Sequence, residues 1–144
     1  MMRTVIAVSA LALGIVAANA QDPIAARKAL MKATGGQAAQ GAKFMKGEEP
    51  FDLAKAQAIF AQYQKTSTEA KGLFPDTAKT GGDTAALPAI WEKKSDFEAK
   101  LVKFGADAKE AGAKIKDFDS FKANFPEVQK NCGGCHESYR AKKS

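Results

Sequence analysis

Apolar residues recur every three or four positions through most of the chain, the spacing of amphipathic helices. The cleanest run is Phe118, Phe121, Phe125, Val128, Cys132, Cys135 and Tyr139, whose steps of three and four alternate without a slip. Pro126 falls inside it and predicts a kink, or the point from which the continuous part of the helix begins. An earlier segment, from about Asp22 to Met45, opens with Asp22-Pro23, a capping residue followed by proline at the first helical position. Gly35-Gly36 in its middle predicts a bend or a close contact. A second segment starts at Asp52, sets Leu53, Ala56, Ile59, Phe60 and Tyr63 on one face, and fades near Gly72. The stretch from Leu73 to Leu87 has no period. A third helical segment begins at Pro88 and carries Ile90, Phe97, Leu101, Phe104, Ala108, Ala111 and Ile115. No segment reads as a strand. Four helices with one apolar stripe each must cover one another, which predicts an all-α fold built as a helix bundle.

The amino terminus breaks this pattern. Arg3 precedes an apolar run from Val5 to Val16, and Ala18-Asn19-Ala20 supplies the small-x-small pattern of a cleavage site. Residues 1–20 are therefore expected to be a removable export signal, and residues 21–144 one domain. The run is too short for a spanning helix, and no other stretch approaches that length, so stable membrane insertion is not expected. Formal charge is +6 for the full 144 residues, and loss of Arg3 lowers it by one. The lysines are spread along every segment rather than clustered, which argues against nucleic acid and suits a solvated surface able to steer an acidic partner.

An exported chain with two cysteines would ordinarily hold one disulfide. Here Cys132 and Cys135 are three apart, and the chain's one histidine, His136, follows at once. C-x-x-C-H is the attachment signature of c-type haem. Two thiols at this spacing reach neighbouring vinyl groups and become thioethers. His136 lies one turn beyond Cys132, about 6 Å along a helix axis, so its imidazole can meet the iron from one face. Gly133 and Gly134 keep side chains away from the porphyrin edge. A thioredoxin-like dithiol would need a βαβ setting, and a zinc site a fourth ligand; the sequence offers neither.

With a single histidine, bis-histidine ligation is impossible. From the residues alone the sixth position can hold a methionine, a lysine, the chain terminus or nothing. Outside the signal the methionines are Met31 and Met45, both in the first helical segment.

Three stretches carry a resemblance to a known family: Cys132–His136 followed by Glu137-Ser138-Tyr139-Arg140, the loop from Thr80 to Trp91, and Arg27-Lys28-Ala29-Leu30-Met31-Lys32. Together they resemble the class II c-type cytochromes, which comprise cytochrome c-prime and the low-spin cytochromes of the c556 type. The resemblance spans essentially the whole of residues 21–144. It implies an antiparallel four-helix bundle with covalent haem c on the C-terminal helix, covered by the first helix. It also implies that Met31 faces the open side of the iron, where cytochromes c-prime carry Leu or Phe and low-spin members a ligating methionine. Arg27, four residues before Met31, matches a position that contacts a haem propionate. Asp83 matches a second position near the propionates, and Arg140 a basic residue beside the proximal histidine. Met45 and Trp91 are expected to serve packing.

The expected function is a periplasmic mono-haem electron carrier, not an enzyme, with His136 and Met31 as axial ligands and one haem c held by two thioethers. The alternative is a five-coordinate cytochrome c-prime that binds NO or CO. A peroxidase is disfavoured, since no second histidine is present for distal acid–base work. Redox proteins are the expected partners, and the resemblance allows either a monomer or a homodimer.

Overall fold

A computed structural model describes residues 22–142. The signal expected at residues 1–20 lies outside the described residues. The helices are α1 (Pro23–Lys46), α2 (Leu53–Glu69), a single turn α3 (Ala89–Glu92), α4 (Lys94–Lys114) and α5 (Phe118–Tyr139). Among the described residues the backbone forms no strand, only one isolated bridge between Ala86 and Arg140. α1, α2, α4 and α5 make an antiparallel four-helix bundle, as expected. α2 packs most extensively on α4, α4 on α5 and α1 on α2, whereas α1 and α5 meet only sparsely.

Local chemistry sets the helix ends. The Asp22 carboxylate accepts the Ile24 and Ala25 amides at 3.0 and 3.4 Å, with Pro23 at the first position. Asp52 accepts Lys55 N–H at 2.8 Å, and Asp117 with Ser120 forms a reciprocal capping box that starts α5. α2 tightens into a 3₁₀ turn at Ala70–Leu73, where the periodicity fades. The third segment is divided: Lys93 leaves helical geometry at φ −120°, ψ 43° and separates α3 from α4.

Two local expectations are narrowed. Gly35 and Gly36 lie within unbroken helix, and no atom crowds the position of a side chain at either. The close approach comes five residues after Gly36, at Gly41. A Cβ there would sit 2.3 Å from the Phe125 ring, so the absent side chain seats α5 on α1. Pro126 does not mark a helix start, because α5 is continuous from Phe118. The apolar contacts of Phe121, Phe125 and Val128 on both sides of the proline hold the helix where one ladder bond is missing.

The core divides along the bundle axis. Near the end where α1 finishes, Phe44, Phe60, Tyr63, Phe104, Phe121, Phe125 and Val128 form one dry cluster. Towards the other end, Leu30, Ile90, Phe97, Leu101 and Tyr139 form a smaller one, flanked by half-buried Met31, Phe74, Trp91 and Cys135.

Candidate functional site

The second cluster does not close. Between the first half of α1 and the last turns of α5 lies a cleft of about 410 Å³, walled by Phe74, Ala86, Ile90, Phe97 and Leu101. Met31, Cys135 and His136 also line it. Beneath it, an inner cavity of about 60 Å³ is bounded by the same three residues together with Cys132, Thr34, Thr66 and Phe104. The larger volume lies in the range of small-molecule and cofactor pockets, and its walls are mostly apolar, as such pockets are.

α5 brings Cys132, Cys135 and His136 to this space through their i, i+3 and i+4 spacing. The thiols are free and half-buried. Burial pushes both thiol pKa values up, so they are protonated at neutral pH. The Cys132 thiol contacts Gln129 Oε1 at 3.6 Å. Burial, followed by the positive charge of Arg140, pushes the His136 pKa below its ordinary value. The neutral imidazole that results is the form that binds a metal. Among the described residues no three His, Cys, Asp or Glu side chains converge to hold a bare ion. An apolar slot with two thiols, one neutral imidazole and a facing thioether fits a flat macrocycle that brings its own metal.

Met31 sits on α1 facing both cavities, while Met45 packs against the closed aromatic cluster far from the cleft. Arg27 lines the cleft too, but its guanidinium is taken up by protein oxygens. It donates to Leu73 O at 3.2 Å, Ala78 O at 3.0 Å and Thr84 Oγ1 at 2.5 Å, and it lies 4.9 Å from the centre of the Phe74 ring. The residue is only 4% exposed, and among the described residues no carboxylate forms an ion pair with it. Desolvation accordingly lowers its pKa, against a weaker pull from Asp22. Nothing in a single sequence signals carbonyl partners 46 and 51 residues away.

Asp83 is exposed and pairs with Lys28 at 3.3 Å, at the rim rather than inside. It ends a turn in which Gly81, Gly82 and Asp83 all have positive φ, of 88°, 56° and 52°. Trp91 packs behind Phe74, its indole N–H donating to Phe74 O and Pro75 O. Two features went unread in the sequence. Thr34 and Thr66 are buried and their hydroxyl oxygens meet at 2.7 Å in the wall of the inner cavity. Tyr139 is buried and donates its hydroxyl to Asp96; that bond, with burial, raises its pKa to about 12.

The family model described as Cytochrome C′ matches residues 22–140. The chain is 46% identical over 123 residues to a cytochrome c′ of Rhodopseudomonas palustris, covering 85% of this chain and 84% of that protein. It is 35% identical over 147 residues to a cytochrome c-556 of the same organism, with 99% of each covered. A solved structure of cytochrome c′ from R. palustris superposes with a TM-score of 0.83 at 46% identity, covering 85% of this chain and 98% of that one.

Proposed function

This chain belongs to the cytochrome c′ family, and on that premise we propose that it is a periplasmic electron carrier in which His136 and Met31 hold a six-coordinate iron. Its cofactor is one covalently bound haem c, as in the family, and that group supplies the one-electron chemistry. The residues of the chain do the rest. Cys132 and Cys135 supply the two thiols for thioether attachment. His136 is kept neutral by burial, ready to ligate without first losing a proton. Arg27 is a buried cation with no carboxylate partner among the described residues, and it retains unused donors for a propionate. The apolar walls exclude water and so favour the less charged reduced site.

One observation carries the six-coordinate reading: Met31 borders both cavities beside His136, whereas Met45 lies in the opposite core. With a thioether on the open face there is no position for a substrate, which suits electron transfer and not catalysis. The test is the optical spectrum of the haem-loaded protein, ferric and ferrous, with and without CO. We expect a low-spin spectrum with a weak methionine-to-iron band that CO leaves unchanged. Met31→Leu should abolish the band and admit CO. A wild-type protein that is high-spin and takes up CO overturns the assignment.

A second reading has one specific observation behind it: a relative 46% identical is named cytochrome c′, against 35% for one named cytochrome c-556. In that reading Met31 only packs over the ring, and the iron is five-coordinate and binds NO or CO. The same CO experiment separates the two.

A further inference from the structure

We propose that Thr84 is a positioning residue, whose hydroxyl fixes a strap of residues 73–87 that sets how far Met31 stands from His136. The proposal rests on the reading of these two residues as axial ligands. α1 and α5 meet only sparsely at first hand, and the bundle joins them mainly through α2 and α4. The strap adds a direct connection at the cleft end. At one end Arg27, one turn before Met31 on α1, donates to Leu73 O, Ala78 O and Thr84 Oγ1. At the other end Leu87 N–H donates to Tyr139 O at 3.0 Å, and Ala141 N–H donates to Ala85 O at 2.8 Å. Tyr139 lies three residues after His136 on α5.

Thr84 sits where the two halves join. Its Oγ1 accepts from Arg27 at 2.5 Å and from Ala86 N–H at 3.2 Å. The other two Arg27 acceptors lie in the first half of the strap, so this hydroxyl carries the connection on to the half that reaches α5. Ile24 against Gly82, and Lys28, which pairs with Asp83 and donates to Gly82 O and Asp83 O at 3.5 and 3.3 Å, add contact between α1 and the strap. The first is non-directional, and the second is exposed and worth little. A hydrogen bond from a buried charged donor is among the stronger kinds, and its loss leaves that donor short of an acceptor.

The experiment compares haem-loaded wild type, Thr84→Val and Thr84→Ser. The readouts are amide hydrogen exchange at Ala86 and Leu87, the methionine-to-iron band and CO uptake. Thr84→Val should speed exchange at both amides by about tenfold or more, weaken the band and admit CO to part of the population. Thr84→Ser should restore all three. Faster exchange with an unchanged band and no CO uptake would mean that the strap does not set the ligand separation. Unchanged exchange would mean that Thr84 does not hold the strap; either result overturns the proposal. A wild type without the band defeats the ligation reading instead. The strap is then judged by CO association, expected severalfold faster in Thr84→Val and overturned if the same.

Discussion

Where α1 finishes, Phe44, Phe60, Phe121 and Phe125 close on one another with ring centroids 4.8 to 6.1 Å apart, and Phe44, Phe60 and Phe121 are at most 1% exposed. Where α1 begins, Phe74, Phe97 and Tyr139, with Trp91 behind Phe74, stand at similar centroid distances, but the space beside them stays open. The residue types are alike, and the filling differs. The closed end completes its core with its own side chains. The open end orders its aromatic walls through polar fastenings, Arg27 to the strap and Tyr139 to Asp96, and leaves an apolar volume for a flat group to occupy. Stability and function are thereby housed at opposite ends of the same four helices.

This division can be broken by experiment. The largest effect is expected from Phe121→Ala, which removes a fully buried ring and should cost about 3–5 kcal/mol in denaturant unfolding. If the ends are independent, the haem spectrum of this variant stays that of the wild type. Gly41→Ala should cost less, about 1–3 kcal/mol, because the Phe125 ring it strikes is stacked on Phe121 at 4.8 Å and cannot withdraw. A shift in the haem spectrum of either variant would join the two ends.

The smallest effect lies at the α1–α2 corner. There Lys43 at 2.8 Å, then Gln40, hold the Glu49 carboxyl down at about 2, against an ordinary value of 4.5. A depressed carboxyl stabilises the fold above its ordinary value and stops doing so as pH falls towards 2. The stability gap between wild type and Glu49→Gln should therefore be present at pH 6 and largely lost by pH 2, in unfolding curves taken across that range. A gap as large at pH 2 as at pH 6 would show that the amide disturbs packing instead.

What the sequence disclosed was what is local. The alternating threes and fours from Phe118 to Tyr139 gave α5 and its cysteines, and Asp22-Pro23 gave the start of α1 almost to the residue. The family resemblance carried the antiparallel bundle and singled out Met31. Lys93 was missed because a one-residue interruption leaves the spacing of Ile90 and Phe97 undisturbed. The close contact expected at Gly35-Gly36 falls at Gly41 instead, because glycine types its backbone freedom but not its neighbours; only the approach of Phe125 distinguishes Gly41. The partners of Arg27 were out of reach for the same reason. Two are backbone carbonyls, which every residue has, and the third is a loop hydroxyl 57 residues away.

The threonine pair has a consequence in hydrogen counting. Thr34 Oγ1 lies 2.8 Å from Leu30 O, Thr66 Oγ1 lies 2.8 Å from Gln62 O, and the two oxygens are 2.7 Å apart. Three short contacts share two hydroxyl hydrogens, so one threonine donates to the other and one carbonyl goes without a hydroxyl. Each carbonyl is still served by its helical N–H, and nothing is left bare. Rotation of both hydroxyls switches which threonine donates across the pair, without moving a heavy atom. The wall of the inner cavity thus carries a small dipole with two resting directions, free to follow the charge in front of it.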